Sequence, residues 1–141
     1  MRKLITILLL SIATTIANGQ DTTTLTQFIT KWVGKPYRYG GNSEKGIDCS
    51  AFVKRLYKDV YNIIIPRTTK TQLKYFTLIN ISLLRIGDVL FFNSRTSPSG
   101  RHVGVYIGND EFIHAANYRE GVKISCLEGH YLKTLIGVGR L

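Results

Sequence analysis

Near Ile86 the hydrophobic pattern of this chain changes period, and that change limits what it can fold into. Before it, apolar residues recur at helical spacing: Leu25, Phe28, Ile29 and Trp32 make an i, i+3, i+4, i+7 stripe, and Phe52, Val53 and Leu56 share one face of a second helix over about 49–60. After it come short apolar runs at 89–92, 103–107, 112–115, 122–125 and 135–138, separated by Gly, Asn, Asp and Ser. Helices first and strands afterward indicate an α+β domain, with N-terminal helices packed on an antiparallel sheet. A chain of 141 residues, 44% hydrophobic and 20% charged, suits one such domain.

The first residues read differently. Met1-Arg2-Lys3 is a short basic start, residues 4–17 are dominated by apolar side chains, and Ala17-Asn18-Gly19 puts small residues at cleavage-site spacing. Residues 1–19 are therefore expected to be a signal peptide and residues 20–141 the working domain, exported to the periplasm or beyond the cell. The apolar stretch falls short of the roughly 20 residues a spanning helix needs, so no stable membrane insertion of the mature chain is expected. Export disfavours nucleic acid as a partner for a chain of formal net charge +10. Its basic residues are also scattered, with no aromatic-interleaved basic cluster. An anionic surface suits that charge better.

Within the domain, Asp21 or one of the threonines behind it can cap the first helix and Gly34 can end it. Residues 34–41, rich in glycine and holding Pro36, read as an irregular loop. Asp48 is a natural N-cap for the helix that begins at Cys49. A thiol at a helix N-terminus near an imidazole is expected to have a lowered pKa, because both neighbours favour the thiolate. Residues 66–69 begin a short polar segment or helix carrying Gln72. If Gly108-Asn109-Asp110 forms a hairpin loop, Ile107 faces Glu111 and His114 faces Gly104, so His102 and His114 share one face as diagonal neighbours. Gly104 has no side chain to keep them apart, and Val103, Val105 and Ile107 turn to the core.

Two cysteines in an exported chain raise the possibility of a Cys49–Cys126 disulfide. Against it, Cys49 stands in a setting that makes sense with a free sulfur, and Cys126 follows an alternating run and looks like a strand residue. His130 lies outside every motif and reads as surface or structural. Trp32 reads as core.

Six segments in order resemble the successive motifs of the NlpC-type cell-wall cysteine peptidases: Gly34-Lys35-Pro36-Tyr37 through Gly40-Gly41; Asp48-Cys49-Ser50-Ala51-Phe52; Pro66-Arg67-Thr68; Gly87-Asp88-Val89; His102 through Gly108; and Phe112-Ile113-His114-Ala115. Ala51 stands where the family usually has glycine. The resemblance implies a papain-like α+β fold and hydrolysis of amide bonds in peptidoglycan stem peptides, commonly between γ-linked D-glutamate and a diamino acid. It makes Cys49 the nucleophile and His102 its base, with His114 orienting His102 and favouring its charged form. Tyr37 joins the Cys49 amide in holding the oxyanion, and Asp48 and Ser50 contact polar groups of the substrate.

No cofactor and no metal are expected, and the domain is expected to act as a monomer. Other readings stand beside this one: an amidase or acyltransferase using the same Cys-His site, a cell-wall binding protein without turnover, and a zinc module built on Cys49, His102 and His114.

Overall fold

The computed structural model describes the backbone of residues 12–141 and side chains from Thr22 onward. In chain order the elements are α1 (Ile12–Trp32), β1 (Asn42–Ser43), β2 (Gly46–Ile47), α2 (Cys49–Tyr61), α3 (Thr69–Tyr75), β3 (Thr77–Ile79), a 3₁₀ turn (Ile81–Leu83), β4 (Val89–Asn93), β5 (Arg101–Gly108), β6 (Glu111–Ala115), β7 (Val122–Cys126), α4 (His130–Thr134) and β8 (Leu135–Arg140). The α+β reading holds: the six-stranded sheet runs β3-β8-β4-β5-β6-β7, and every pair in it is antiparallel.

Leu25, Phe28 and Trp32 are buried on one face of α1, as the stripe requires. Phe28, Trp32 and Phe52 of α2 form a ring cluster with centroids 5.7–5.9 Å apart. The helix starts earlier than expected, because its backbone runs from Ile12 straight through Asp21 instead of being capped there. The expected signal peptide over 1–19 thus lies outside the described residues for 1–11, and only its backbone is described for 12–19. At the other end Gly34 takes a left-handed φ of 88° and donates its N–H to the Val122 carbonyl, turning the chain off the helix.

The sheet is buried on both faces in its centre. Val89 and Phe91 of β4, Val103 and Val105 of β5, and Ile113 and Ala115 of β6 join the helices in the main core. Leu90, Phe92 and Phe112 point the other way, into a second cluster with Leu127 and Val138, covered by Tyr131 of α4. A fully buried Phe such as Phe52 or Phe112 contributes about 2–3 kcal/mol of hydrophobic stabilisation.

The hairpin between β5 and β6 differs from expectation in its loop. Gly108, not Ile107, pairs with Glu111, so the loop is the two residues Asn109-Asp110, both at positive φ (52° and 56°) as a type I′ turn needs. The register shifts between Tyr106 and Gly108, which leaves Ile107 as a bulge, and Val105 still pairs with Ile113. Beyond the bulge the alternation is therefore the expected one. A Cβ placed on Gly104 would sit 2.8 Å from the Phe112 ring and 3.2 Å from the His114 Cβ, so this close approach requires glycine.

Candidate active site

Cys49 is the first residue of α2, and Asp48 before it is the cap: its Oδ1 accepts from the Ala51 N–H at 2.9 Å. The same carboxylate accepts from the Gly40 N–H at 2.9 Å and takes both guanidinium nitrogens of Arg67, each at 2.9 Å. Arg67 Nη1 also donates to Ser50 Oγ at 2.9 Å, and that hydroxyl donates to Asp48 at 3.3 Å. A part-buried pair of this bidentate kind is held by geometry as well as charge. It fixes the Gly40-Gly41 loop, the start of α2 and the segment before α3 against one another. Asp48 and Ser50 are both buried, and each has bonds inside this knot. Gln72 of α3 tightens the same corner by donating to the carbonyls of Ser50 (3.0 Å) and Pro66 (2.8 Å).

The Cys49 sulfur lies 3.9 Å from the Thr69 hydroxyl at the start of α3, and close to the backbone amide of Val103 in β5. That places the thiol against β5 at the residue that follows His102 in sequence. His102 Nε2 stands 2.7 Å from His114 Nδ1, and His114 Nε2 stands 2.9 Å from Ser125 Oγ of β7. With Nε2 engaged, Nδ1 is the His102 nitrogen left for the thiol. His102 and His114 therefore meet as expected, and the line continues to Ser125. Rings of the second core lie under it, with Phe112 4.5 Å from His114, Tyr131 5.6 Å from His114 and Phe92 6.1 Å from His102.

This apolar floor contributes to the burial that sets the protonation states of the two histidines. Burial pushes His102 down to about 4, and burial together with the neighbouring His102 holds His114 well below the usual imidazole range. Burial also pushes the Cys49 thiol up, and the Asp48 charge adds to this; the Thr69 hydroxyl and the amides of Val103 and Ser50 pull the other way. One sequence expectation is corrected here: burial raises the thiol pKa instead of lowering it. The reason is that desolvation of the thiol, buried in the main core, outweighs the helix terminus. Burial thus favours the neutral form of the thiol and of both imidazoles.

Tyr37 is half-buried beside this corner, held by a bridge to Ile47 and by edge contact with the Tyr118 ring at 5.1 Å. Its hydroxyl is pushed up to about 12 by burial first and then by Cys49 and Asp48, so it stays a hydrogen-bond donor. A groove of about 320 Å³ opens over the site, with Tyr37, Tyr118, His102, His114, His130 and Tyr131 among its walls. His130, read as surface or structural, stands on that wall.

Both cysteines are free: Cys49 is buried, and Cys126 is exposed at the end of β7. Among the described residues, no group of three or more His, Cys, Asp or Glu side chains is arranged to hold a metal ion, and no helix is long and apolar enough to cross a membrane. Arg67, Thr69, Ser125 and Tyr131 had no role in the sequence reading. For Ser125 a signal existed: the alternation of Lys123 and Ser125 puts both on the His114 face once β6 and β7 are paired.

A thiol at a helix start beside two strand-borne imidazoles, on helices packed against an antiparallel sheet, defines a papain-like class of site. A model of the NlpC/P60 family matches residues 34–140, and the chain belongs to that family. Among curated proteins it is similar to the murein DD-endopeptidase MepS/murein LD-carboxypeptidase of Escherichia coli K12, with 43% identity over 102 residues, 72% of this chain and 53% of that protein. The probable endopeptidase NlpC of the same strain is 42% identical over 100 residues, 71% of this chain and 64% of the relative. The chain thus spans little more than half of the first relative and less than two thirds of the second. Solved structures agree on the fold. An NlpC/P60 family protein from Bacillus cereus superposes with a TM-score of 0.74 at 30% identity, over 84% of this chain and 39% of that one. The NlpC/p60 domain of the peptidoglycan hydrolase SagA gives 0.70 at 29% identity, over 85% of this chain and 98% of that domain.

Proposed function

We propose that the protein is a cysteine peptidase that hydrolyses amide bonds in peptidoglycan stem peptides, acting outside the cytoplasm after loss of residues 1–19. The observation that carries this is Cys49 at the head of α2, its sulfur against β5 at Val103, together with the His102–His114 pair that lines a groove. In the first half-reaction the Cys49 sulfur attacks the amide carbonyl while its proton passes to His102 Nδ1, and the C–N bond breaks as that proton goes to the leaving amine. A thioester remains on Cys49. Water, giving its proton to His102, then releases the acid and restores the thiol. Because burial favours the neutral form of both groups, the proton is expected to move with the attack, the ion pair forming along the reaction path. Tyr37, a donor under all working conditions, and the Cys49 amide, an N-terminal orphan of α2, are assigned the oxyanion role. Asp48 and Ser50, which flank Cys49 and are pinned by Arg67, are assigned to contacts with polar groups of the substrate.

For the bond, the sequence resemblance favours γ-D-glutamyl to diamino acid. The name of the 43% identical relative favours a second reading, the bond between two D-centres of a cross-link. Mass spectrometry of purified wall after digestion separates the two. Free N-terminal diamino acid supports the first and loss of cross-linked dimers the second, while fragments cut at the sugar–peptide link would replace both with an amidase.

A further inference from the structure

We propose that Ser125 is a positioning residue that sets which nitrogens of His102 and His114 carry their protons; this rests on the Cys-His reading above. The two imidazoles and the hydroxyl form one chain, His102 Nε2 to His114 Nδ1 at 2.7 Å and His114 Nε2 to Ser125 Oγ at 2.9 Å. A neutral imidazole has one N–H, so the chain can run in only two directions. In one, His102 carries its proton on Nε2 and donates to His114 Nδ1, and His114 carries its proton on Nε2 and donates to Ser125. His102 Nδ1 then has a free lone pair for the thiol proton. In the other, Ser125 donates to His114 Nε2, His114 Nδ1–H donates to His102 Nε2, and His102 Nδ1 is already protonated and useless as a base.

Ser125 makes the first direction tenable. His114 is 1% exposed, so without an acceptor at Ser125 its Nε2–H would be an unpaired donor in an apolar setting. Buried orphan N–H groups are rarer than under-used acceptors. Loss of the hydroxyl therefore drives the pair toward the second direction, in which Nε2 of His114 is merely an unused acceptor. The hydroxyl is only half-buried, so its own proton can go to solvent while its oxygen accepts. The demand grows during reaction. When His102 holds the thiol proton it carries both N–H groups, its Nε2–H must donate to His114 Nδ1, and His114 must then keep its proton on Nε2. Ser125 is the acceptor that ends the line.

The test compares Ser125→Val with Ser125→Thr, which have similar shape and both suit a strand, but only Thr keeps the hydroxyl. Nitrogen-15 NMR of histidine-labelled protein at neutral pH reads each tautomer without any substrate. Wild type and Ser125→Thr should both show His102 and His114 protonated at Nε2. In Ser125→Val the His102 proton should move to Nδ1, and kcat on a muropeptide should fall about ten- to a hundredfold with KM little changed, the scale of one lost buried hydrogen bond. Ser125→Ala serves if the Val side chain disturbs folding. Unchanged tautomers in the variant lacking the hydroxyl, or a wild-type His102 protonated at Nδ1, would overturn the proposal. Correct tautomers in a wild type that hydrolyses no wall peptide would leave the relay standing and refute the hydrolase reading instead.

Discussion

Acid should remove stability from this protein through His102, and the amount follows from its surroundings. In the unfolded chain the imidazole takes up a proton near pH 6.5, whereas in the fold it stays neutral until about pH 4. Over that window the unfolded state binds more protons than the native state, so stability falls as pH falls. The contribution is fully present above pH 6.5, is lost progressively down to about pH 4, and is flat below. A tenfold difference in proton affinity between fold and unfolded chain is worth about 1.4 kcal/mol, so the loss from this one side chain is at most about 3 kcal/mol, less to the extent that its groove-facing edge is hydrated. The variant for comparison is His102→Gln, whose amide can still bond His114 and does not titrate. It also relieves the His102 contribution to the lowering of His114, which further flattens its own acid loss. Urea unfolding followed by circular dichroism at steps across the window should show wild type losing stability relative to His102→Gln by up to about 3 kcal/mol. Parallel curves would refute the reasoning. A wild type that gains on the variant as pH falls would show His102 charged at rest, as in a thiolate–imidazolium pair.

Arg67→Met should destabilise the domain by about 2 kcal/mol in urea unfolding, because it leaves the Asp48 carboxylate buried without its cation, discounted for the 34% exposure of the Arg67 side chain. Adding Asp48→Asn should recover part of that loss, and two additive losses would sink the pairing argument. Gly104→Ala should cost about 1–3 kcal/mol in thermal unfolding and reduce turnover, since the new methyl meets the Phe112 ring and the Ile113 carbonyl and pushes the imidazoles apart. Activity on intact wall should decline as salt rises while activity on a small soluble muropeptide changes little, because screening weakens the attraction of the mature chain, whose net charge is +8 once Arg2 and Lys3 leave the full +10, to an anionic surface. Equal salt dependence for both substrates would argue against surface attraction.

Much of this was legible because it rests on local rules. The period change near Ile86 exposed the α+β order, Asp48 before the apolar face of α2 announced a cap, and alternation along β5 and β6 put His102 and His114 on one face. What stayed hidden depends on distant partners or on elements too short to carry a pattern. Arg67 meets Asp48 across nineteen residues of chain. The five residues of α4, with no side-chain cap at Gly129, show no period, so Tyr131 could not be placed over the imidazoles. The same hidden cover explains the lowered histidines: their apolar floor comes from Phe92, Phe112 and Tyr131, on three separate elements, whereas the thiol is raised by its burial in the main core. The hairpin loop was misjudged by one residue because Asn109 and Asp110 both accept the left-handed region, which lets a two-residue turn form and leaves Ile107 as the bulge.

Covalent hydrolysis of wall peptides through Cys49 is the central claim, and turnover of purified muropeptides by Cys49→Ala, beside Cys126→Ala and wild type, tests it most directly. Both variants should keep the wild-type melting curve to within a few degrees. Cys126→Ala should cut at the wild-type rate and Cys49→Ala should cut nothing, since in the proposed mechanism the Cys49 sulfur forms the acyl intermediate. More than trace hydrolysis by Cys49→Ala would contradict the claim.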